Sequence, residues 1–402
     1  MKLSDIDIYD LDKWASQGPP HEEFKQLREE APIHFNDYPG GKGFWTITKH
    51  EDISYISKNP LLFSSHRGGS NLDDYEEEDL SQIQMLMVNM DPPQHAKYRK
   101  LVSKGFTPRM VRQMEPKIRQ TVTEILDRVA PMGECDFVRE VAAELPLIVI
   151  ADLMGVPLED RQKLFDWSNR LIGFDDPEFQ TSVEDARMAA FEIWMYANGL
   201  AEERKGTSGT DLIRVLMNAE VDGEQLEEAE FDAFFLLLAV AGNETTRNAI
   251  SGGLLALLDN PDQVELLQSN PDLLPSAVEE ILRWHTPVLH FRRTATEDTE
   301  IRGQAIKEGD KLGMFYISAN RDEEIFEDPF SFDITRDPNH HLAFGVGEHF
   351  CLGASLARLE MRLLFEQLFE RLPNLQRAGE IRRLRSNFIH GIKELPVRFD
   401  TP

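Results

Sequence analysis

The chain has 402 residues, with 71 acidic against 43 basic side chains and a formal charge of −28. Such a surface repels phosphate backbones and anionic lipid, which argues against nucleic acid or membrane as a partner. The start, Met1-Lys2-Leu3-Ser4-Asp5-Ile6-Asp7, is no signal peptide, and the longest apolar run, Ala233 to Gly242, is about half of a spanning helix. No linker, repeat or low-complexity tract divides the sequence, and apolar positions continue to Val397 and Phe399. One body over 1–402, able to bury a large cofactor, is expected.

In chain order, Ile33-His34-Phe35 and Phe44-Trp45-Thr46-Ile47-Thr48 flank Pro39-Gly40-Gly41 and predict a hairpin. The acidic stretch Asp73 to Asp79 reads as a solvated loop. From Pro92 to Asp259 the pattern is helical, broken at Gly155-Val156-Pro157, Asp175-Asp176-Pro177 and Gly206-Thr207-Ser208-Gly209. Leu226 to Leu258 predicts one long core helix, apolar nearly all round, ended by Asn260-Pro261. Helices follow at Gln263–Ser269 and Leu274–His285, with strands at Ile301–Ile306, Lys311–Ile317 and within Asn387–Phe399. A last helix is expected from Leu352 to Leu368. The class is mainly α with small peripheral sheets.

The run Phe344-Gly345-Val346-Gly347-Glu348-His349-Phe350-Cys351-Leu352-Gly353 sets one cysteine at the mouth of that helix. Helix N-termini favour an anion, so the position biases a thiol toward the metal-binding thiolate. Gly345, Gly347 and Gly353 let the backbone lie against something flat and bulky. A lone thiolate suits haem iron better than zinc, which takes four ligands; the plainer alternative is a structural cysteine. Cys135, flanked by Glu134 and Asp136, reads as structural. Two separated cysteines suit a reducing cytoplasm.

Within the long helix, Ala241-Gly242-Asn243-Glu244-Thr245-Thr246 is an odd choice for a plain core. Gly242 costs about 1 kcal/mol against alanine. The Thr245 hydroxyl reaches the Ala241 carbonyl and bends the helix, and the small Ala241 and Gly242 open a groove there. A hydroxyl and a carboxylate in a groove form a proton-delivery pair. The competing reading is a threonine bonded only to its own helix, with Glu244 paired to Arg247. Glu280 and Arg283 share a helix face amid apolar flanks, with Arg336 as candidate third member. His95 and Arg99 lie one turn apart, and with Arg293 and His349 they suit a ligand bearing two carboxylates. Eight basic residues between Lys97 and Arg119 meet one acid, Glu115, a local reversal that suits an acidic electron carrier or merely a solvated face.

Together the cysteine loop, Ala-Gly-Asn-Glu-Thr, Glu-x-x-Arg and Asp91-Pro92-Pro93-Gln94-His95-x-x-x-Arg99 resemble a soluble bacterial cytochrome P450, in order and over essentially the whole chain. The resemblance implies a triangular helical prism enclosing haem b (iron protoporphyrin IX), with Cys351 as axial ligand inside its Phe344–Leu352 loop. It places His95, Arg99, Arg293 and His349 on the haem propionates, and Ala241, Phe344, Gly345 and Gly353 against the haem. Thr245 and Glu244 match its proton-delivering alcohol and acid, and Glu280, Arg283 and Arg336 its structural triad. Glu348 departs from the pattern, since many relatives carry an apolar or small residue there.

The implied activity is a monooxygenase inserting one atom of O2 into a C–H bond, with electrons from NAD(P)H. No reductase sequence follows Pro402, so separate ferredoxin and ferredoxin reductase are expected, docking near Lys97, Lys100, Lys104, Arg109 and Arg112. Segments Gly242–Asn248, Ser103–Arg109 and Met314–Asn320 resemble the branch acting on sterol side chains and methyl-branched lipids. By the family's layout, Met85, Met87, Val88, Phe174, Val240, Val288, Leu289 and Ile389 line the substrate pocket, with no cation there for a substrate carboxylate. The alternatives are terminal hydroxylation of alkanes or fatty acids, and a haem protein that binds ligands without turnover.

Overall fold

The computed structural model describes residues 2–38, 41–173, 175–179, 182–207, 211–221 and 223–402. The expected pocket residue Phe174, the turn residues Pro39 and Gly40, and Ser208 and Gly209 lie outside the described residues, as does the side chain of Lys104.

The helices that place the site are α1 (Glu77–Ile83), α2 (Gln94–Val102), α3 (Pro108–Val129), α4 (Glu144–Met154), α5 (Arg161–Ile172), α6 (Val183–Arg204), α7 (Glu228–Asp259), α8 (Leu274–His285) and α9 (Ala354–Arg371). The 32-residue α7 is the axle: α4, α5 and α6 pack on one part of it, α8 and α9 on another. Its start is fixed by a capping box, in which Glu227 and Glu230 satisfy each other's backbone N–H groups. Asn260-Pro261 ends it, as the sequence predicts.

One large apolar core joins α3, α4, α7, α8 and α9, and a second joins α2, α4, α5, α6 and the first half of α7. Beside them a five-stranded sheet runs in the order β1 (Ile33–Asn36), β2 (Phe44–Ile47), β5 (Lys311–Phe315), β4 (His290–Ala295), β3 (Phe63–Ser64). β1 and β2 form the predicted antiparallel hairpin, and β5 pairs parallel to β2 and antiparallel to β4.

Several elements differ from expectation. Ile301–Ile306 is a tight hairpin, because Arg302 and Gly303 take positive φ and turn the chain. The strand from Lys311 stops at Phe315, and Tyr316–Ala319 coils into one helical turn. The last helix begins at Ala354 with Gly353 as cap and runs to Arg371, three residues beyond Leu368. The acidic stretch is a solvated loop only in part: Asp74, Glu76, Glu77 and Glu78 are exposed, but the loop ends at Glu76. Glu77, Glu78 and Asp79 form the first turn of α1, where acids complement the helix dipole. Asp74 accepts from Lys311 Nζ at 3.0 Å, and Arg292 donates to the Asp73 carbonyl at 2.7 Å.

Candidate functional site

The loop before α9 is shaped by two glycines in the left-handed region, Gly345 at φ +69° and Gly347 at φ +79°. A Cβ on Gly347 would sit 2.7 Å from the Ser57 carbonyl oxygen, so this turn is pressed onto the helix His50–Lys58. The Cys351 N–H closes the loop by donating to the Phe344 carbonyl at 2.9 Å. The cysteine itself is exposed although protein surrounds it closely, and it has no disulfide partner. Burial pushes its thiol up, against the N–H groups of Gly353 and Ala354 and the charges of Arg99 and Arg358. A coordinated metal removes that proton outright.

Around this loop the four expected cations converge. The His95 and His349 rings lie 4.0 Å apart, and Arg293 is buried close enough to act on both. Arg99 Nη2 donates to the Phe350 carbonyl at 2.5 Å. Burial, then the neighbouring Arg99 and Arg293, pushes His95 down to about 4. His349 is lowered further by burial and by Arg293, His95 and Arg99. The carboxylates at hand are Glu348, 3.9 Å from His95, and Asp91, which acts on His95 and Arg293. Four basic groups drawn out of water with so little counter-charge fit an anionic ligand, and two carboxylates match the number of donors.

On α7 the middle turn is unlike its flanks. Ala241 is exposed and Gly242 and Thr245 are half-buried, whereas Asn243, Glu244, Thr246 and Arg247 are buried. Thr245 Oγ1 donates to the Ala241 carbonyl at 2.7 Å, the back-bond read from the sequence. Gly242 does not open the groove: a Cβ there would meet the Ile150 side chain at 2.9 Å, so its smallness admits α4. Glu244 pairs with Arg247, which also donates to Asn169 Oδ1 of α5 at 3.1 Å. Burial raises Glu244, and Arg247 only partly offsets it. Glu244 Oε1, Arg247 Nε, both amide atoms of Asn243, Asn248 Nδ2 and Ser168 Oγ are buried without a hydrogen-bond partner. Such a concentration of orphaned polar atoms marks a place for internal water.

Glu280 and Arg283 are fully buried and joined by two 2.7 Å bonds. Arg336 Nε reaches Glu280 at 3.2 Å, with Asn339 Nδ2 at 3.1 Å and the Asp333 N–H at 2.9 Å. The sequence missed a second network: Arg358 donates to Glu279 at 2.6 Å and covers the Phe344 ring at 4.4 Å, and His341 also meets Glu279 at 3.0 Å. The adjacent acids Glu279-Glu280, one per network, were its only sequence trace.

Of the expected pocket residues, Met85, Val88, Val240 and Val288 are half-buried, and Met85 lines a cleft of about 510 Å³ with Met90, Tyr98 and Glu230. Leu289 is wholly buried against Phe44, Leu72 and Phe315, and Met87 is packed among Tyr98, Leu147 and Phe234. Ile389 is also buried, and its backbone bridges to Val288. Lys97, Lys100, Arg109 and Arg112 are exposed, and Lys117 and Arg119 are tied to Asp152 and Glu366.

A helical prism with a lone cysteine on a glycine loop, a cationic cradle and a notched central helix defines a haem-thiolate protein. The chain belongs to the cytochrome P450 family, whose model matches residues 9–373, and it is a monooxygenase of that family. It is 45% identical to a steroid C26-monooxygenase of Rhodococcus jostii, covering 98% of this chain and 85% of that one. It is 44% identical to a methyl-branched lipid omega-hydroxylase of Mycobacterium tuberculosis, covering 98% and 95%. The fold superposes on the Mycobacterium marinum cytochrome P450 solved with pseudoionone at a TM-score of 0.92, with 39% identity and 98% of both chains covered. Among the described residues no helix is long and apolar enough to cross a membrane.

Proposed function

We propose that this monooxygenase hydroxylates a terminal or near-terminal C–H bond of an apolar lipid, a sterol side chain or a methyl-branched chain. The observation that carries this reading is the pair of relatives named above, one steroid and one branched-lipid hydroxylase, each similar over 98% of the chain. The half-buried Met85, Val88, Val240 and Val288 suit an apolar guest, because such side chains adapt to it without polar cost.

Haem, when bound, supplies an iron centre that activates O2, one oxygen atom going to the C–H bond and the other to water with two electrons and two protons. Cys351 would hold the iron as the single protein sulfur ligand. His95, Arg99, Arg293 and His349 would hold the two propionates, which supply the negative charge their surroundings lack. Ala241, Phe344, Gly345 and Gly353 would face the macrocycle. Thr245 offers its hydroxyl at the notch beside Ala241. Glu244, raised by burial, keeps its proton to higher pH than an ordinary carboxylate and so serves as a proton donor. The Arg247–Asn169 contact keeps that carboxylate oriented between turnovers. Electrons would come from NAD(P)H through a reductase and an acidic ferredoxin, docking near Lys97, Lys100, Lys104, Arg109 and Arg112. The opposite charge of that face against the chain's −28 supports the partner's sign.

The test is a spectral titration of the haem-loaded protein with sterols bearing an intact side chain, branched and straight fatty acids, alkanes and small terpenes. Binding of the first two classes in the low micromolar range, followed by product hydroxylated at the chain end, is expected. Preference for unbranched alkanes would overturn the substrate class while leaving the family intact.

A further inference from the structure

Two acidic segments of the chain are each held down by their own basic residues, and where they meet the one basic group at hand is Arg385. Residues 70–76 are tied to the sheet: Arg292 donates to the carbonyls of Ser70 and Asp73, both at 2.7 Å, and Lys311 to that of Leu72 at 3.1 Å. Asp74 accepts from Lys311 Nζ at 3.0 Å and from the Lys42 N–H at 2.8 Å. Residues 175–179 are tied instead to the C-terminal strands: Lys393 Nζ meets Asp176 at 2.8 Å and Glu178 at 2.9 Å, and the Arg385 N–H donates to Asp176 at 3.1 Å. Two different supports therefore carry the two segments.

They come together at a narrow crevice lined by Tyr9, Asn71, Asp73, Asp175, His290 and Phe388. Asp73 and Asp175 both line it, near enough for the charge of Asp73 to act on Asp175. Asp73 accepts from the Tyr38 hydroxyl, whereas the Asp175 carboxyl has no hydrogen-bond partner among the described residues. The charged and titratable groups facing Asp175 are Asp73 and Tyr75 on the opposite segment, Tyr9 on the N-terminal segment, His290 on β4, and Arg385. Arg385 spends its guanidinium on Asp12 at 2.6 Å and on the Asp175 carbonyl at 2.9 Å rather than on the carboxyl.

We propose that the Asp73–Asp175 contact is a proton-operated clasp, in which protonated Asp175 lets residues 70–76 and 175–179 stay closed and ionised Asp175 drives them apart. Val288 and Ile389, which bridge to each other beside His290 and Phe388, place the clasp at one corner of the expected substrate pocket. It stands on the packing of the two segments and is independent of the oxygenation chemistry.

Burial and then Asp73 raise Asp175 to about 7, against Arg385. An acid raised in the closed form binds its proton on closure. Opening therefore grows about tenfold per pH unit from roughly pH 4, the ordinary range, and flattens above about 7.

Hydrogen exchange of the haem-loaded full-length chain, corrected for its intrinsic pH dependence, tests the clasp between pH 5.5 and 8. Amides in 70–76 and 175–179 should open about fivefold more at pH 7 than at pH 6 and level off toward pH 8, while α7 stays protected. Asp175→Asn should hold both segments closed at every pH. Asp73→Asn, which keeps an acceptor for Tyr38, should move the plateau to lower pH. Flat exchange in the native chain, or a pH response that survives Asp175→Asn, would overturn the proposal.

Discussion

Two buried glutamate–arginine pairs, each three residues apart on a helix, behave in opposite ways. Glu280 and Arg283 on α8 are saturated: the carboxylate takes five donors, and the guanidinium also reaches the carbonyls of Asn320, Pro329 and Ser331 at 2.9, 2.8 and 3.1 Å. Glu244 and Arg247 on α7 share one bond, with Asn169 added, and leave Glu244 Oε1 and Arg247 Nε unmatched. A saturated pair in a dry interior is fixed, since every movement breaks several charge-assisted bonds at once. An undersatisfied pair is free to exchange partners, including water. The same local sequence pattern thus makes a rivet in one helix and a movable acid in the other.

The largest effect should come from breaking the rivet. Glu280→Ala leaves Arg283 buried and unpaired, which costs about 3–5 kcal/mol. Chemical denaturation should show that loss, with poor haem retention; a variant that keeps its midpoint would show that the network is not structural. The equivalent change in the other pair should separate stability from turnover. Glu244→Gln keeps shape and one acceptor, so the denaturation midpoint should hardly move. Product formed per NAD(P)H consumed should fall roughly ten- to a hundred-fold, the usual weight of a positioned proton donor. Equal loss in both variants would erase the contrast.

A pH series sharpens it further. Glu244 is raised in the folded state, so folding binds an extra proton there. Its contribution is favourable below the unfolded value of about 4.3 and is lost as pH rises toward the folded value. The melting temperature of Glu244→Gln minus that of the native chain should therefore become more positive from pH 5 to pH 8. The histidines report with the opposite slope. The stacked rings of His285 and His390, 3.9 Å apart, are both lowered by burial, His390 to about 4. The unfolded chain takes up their protons first, so native stability should drop as pH falls from about 6.5 toward 4. That drop should persist in Glu244→Gln.

The sequence could place both pairs on helices, but it could not rank them. Glycine and proline punctuation located α7, α8 and the cysteine loop to within a few residues, and the helical period put each glutamate beside its arginine. What saturates Glu280 arrives from Asp333, Arg336 and Asn339, more than fifty residues away, and only Arg336 offered a local hint. Asn169, which steadies Arg247, gave no signal, because a lone asparagine on an amphipathic helix ordinarily faces water. Gly242 misled for a related reason: its absent side chain serves Ile150 of a different helix. The ties of Asp73 and Asp74 to the sheet gave no signal, because sequence shows charge without showing which cations lie opposite.

The smallest effect probes the surface rather than the interior. Arg112 is exposed and has no ion pair among the described residues, whereas its neighbours on the same face are engaged: Glu115 with Arg362 at 3.1 Å, Glu279 with Arg358 at 2.6 Å. A free charge at a docking face acts mainly on encounter and is screened by salt. Arg112→Glu should raise the half-saturating ferredoxin concentration several-fold at low ionic strength, and the difference should shrink in 0.5 M salt. The carbon monoxide spectrum and melting temperature should stay unchanged. If Lys117→Glu, whose native lysine is already bound to Asp152, weakens ferredoxin use as much as Arg112→Glu, the face acts through bulk charge. Satisfied and unsatisfied charges would then differ inside the protein but not on its surface, as expected where water replaces any missing partner.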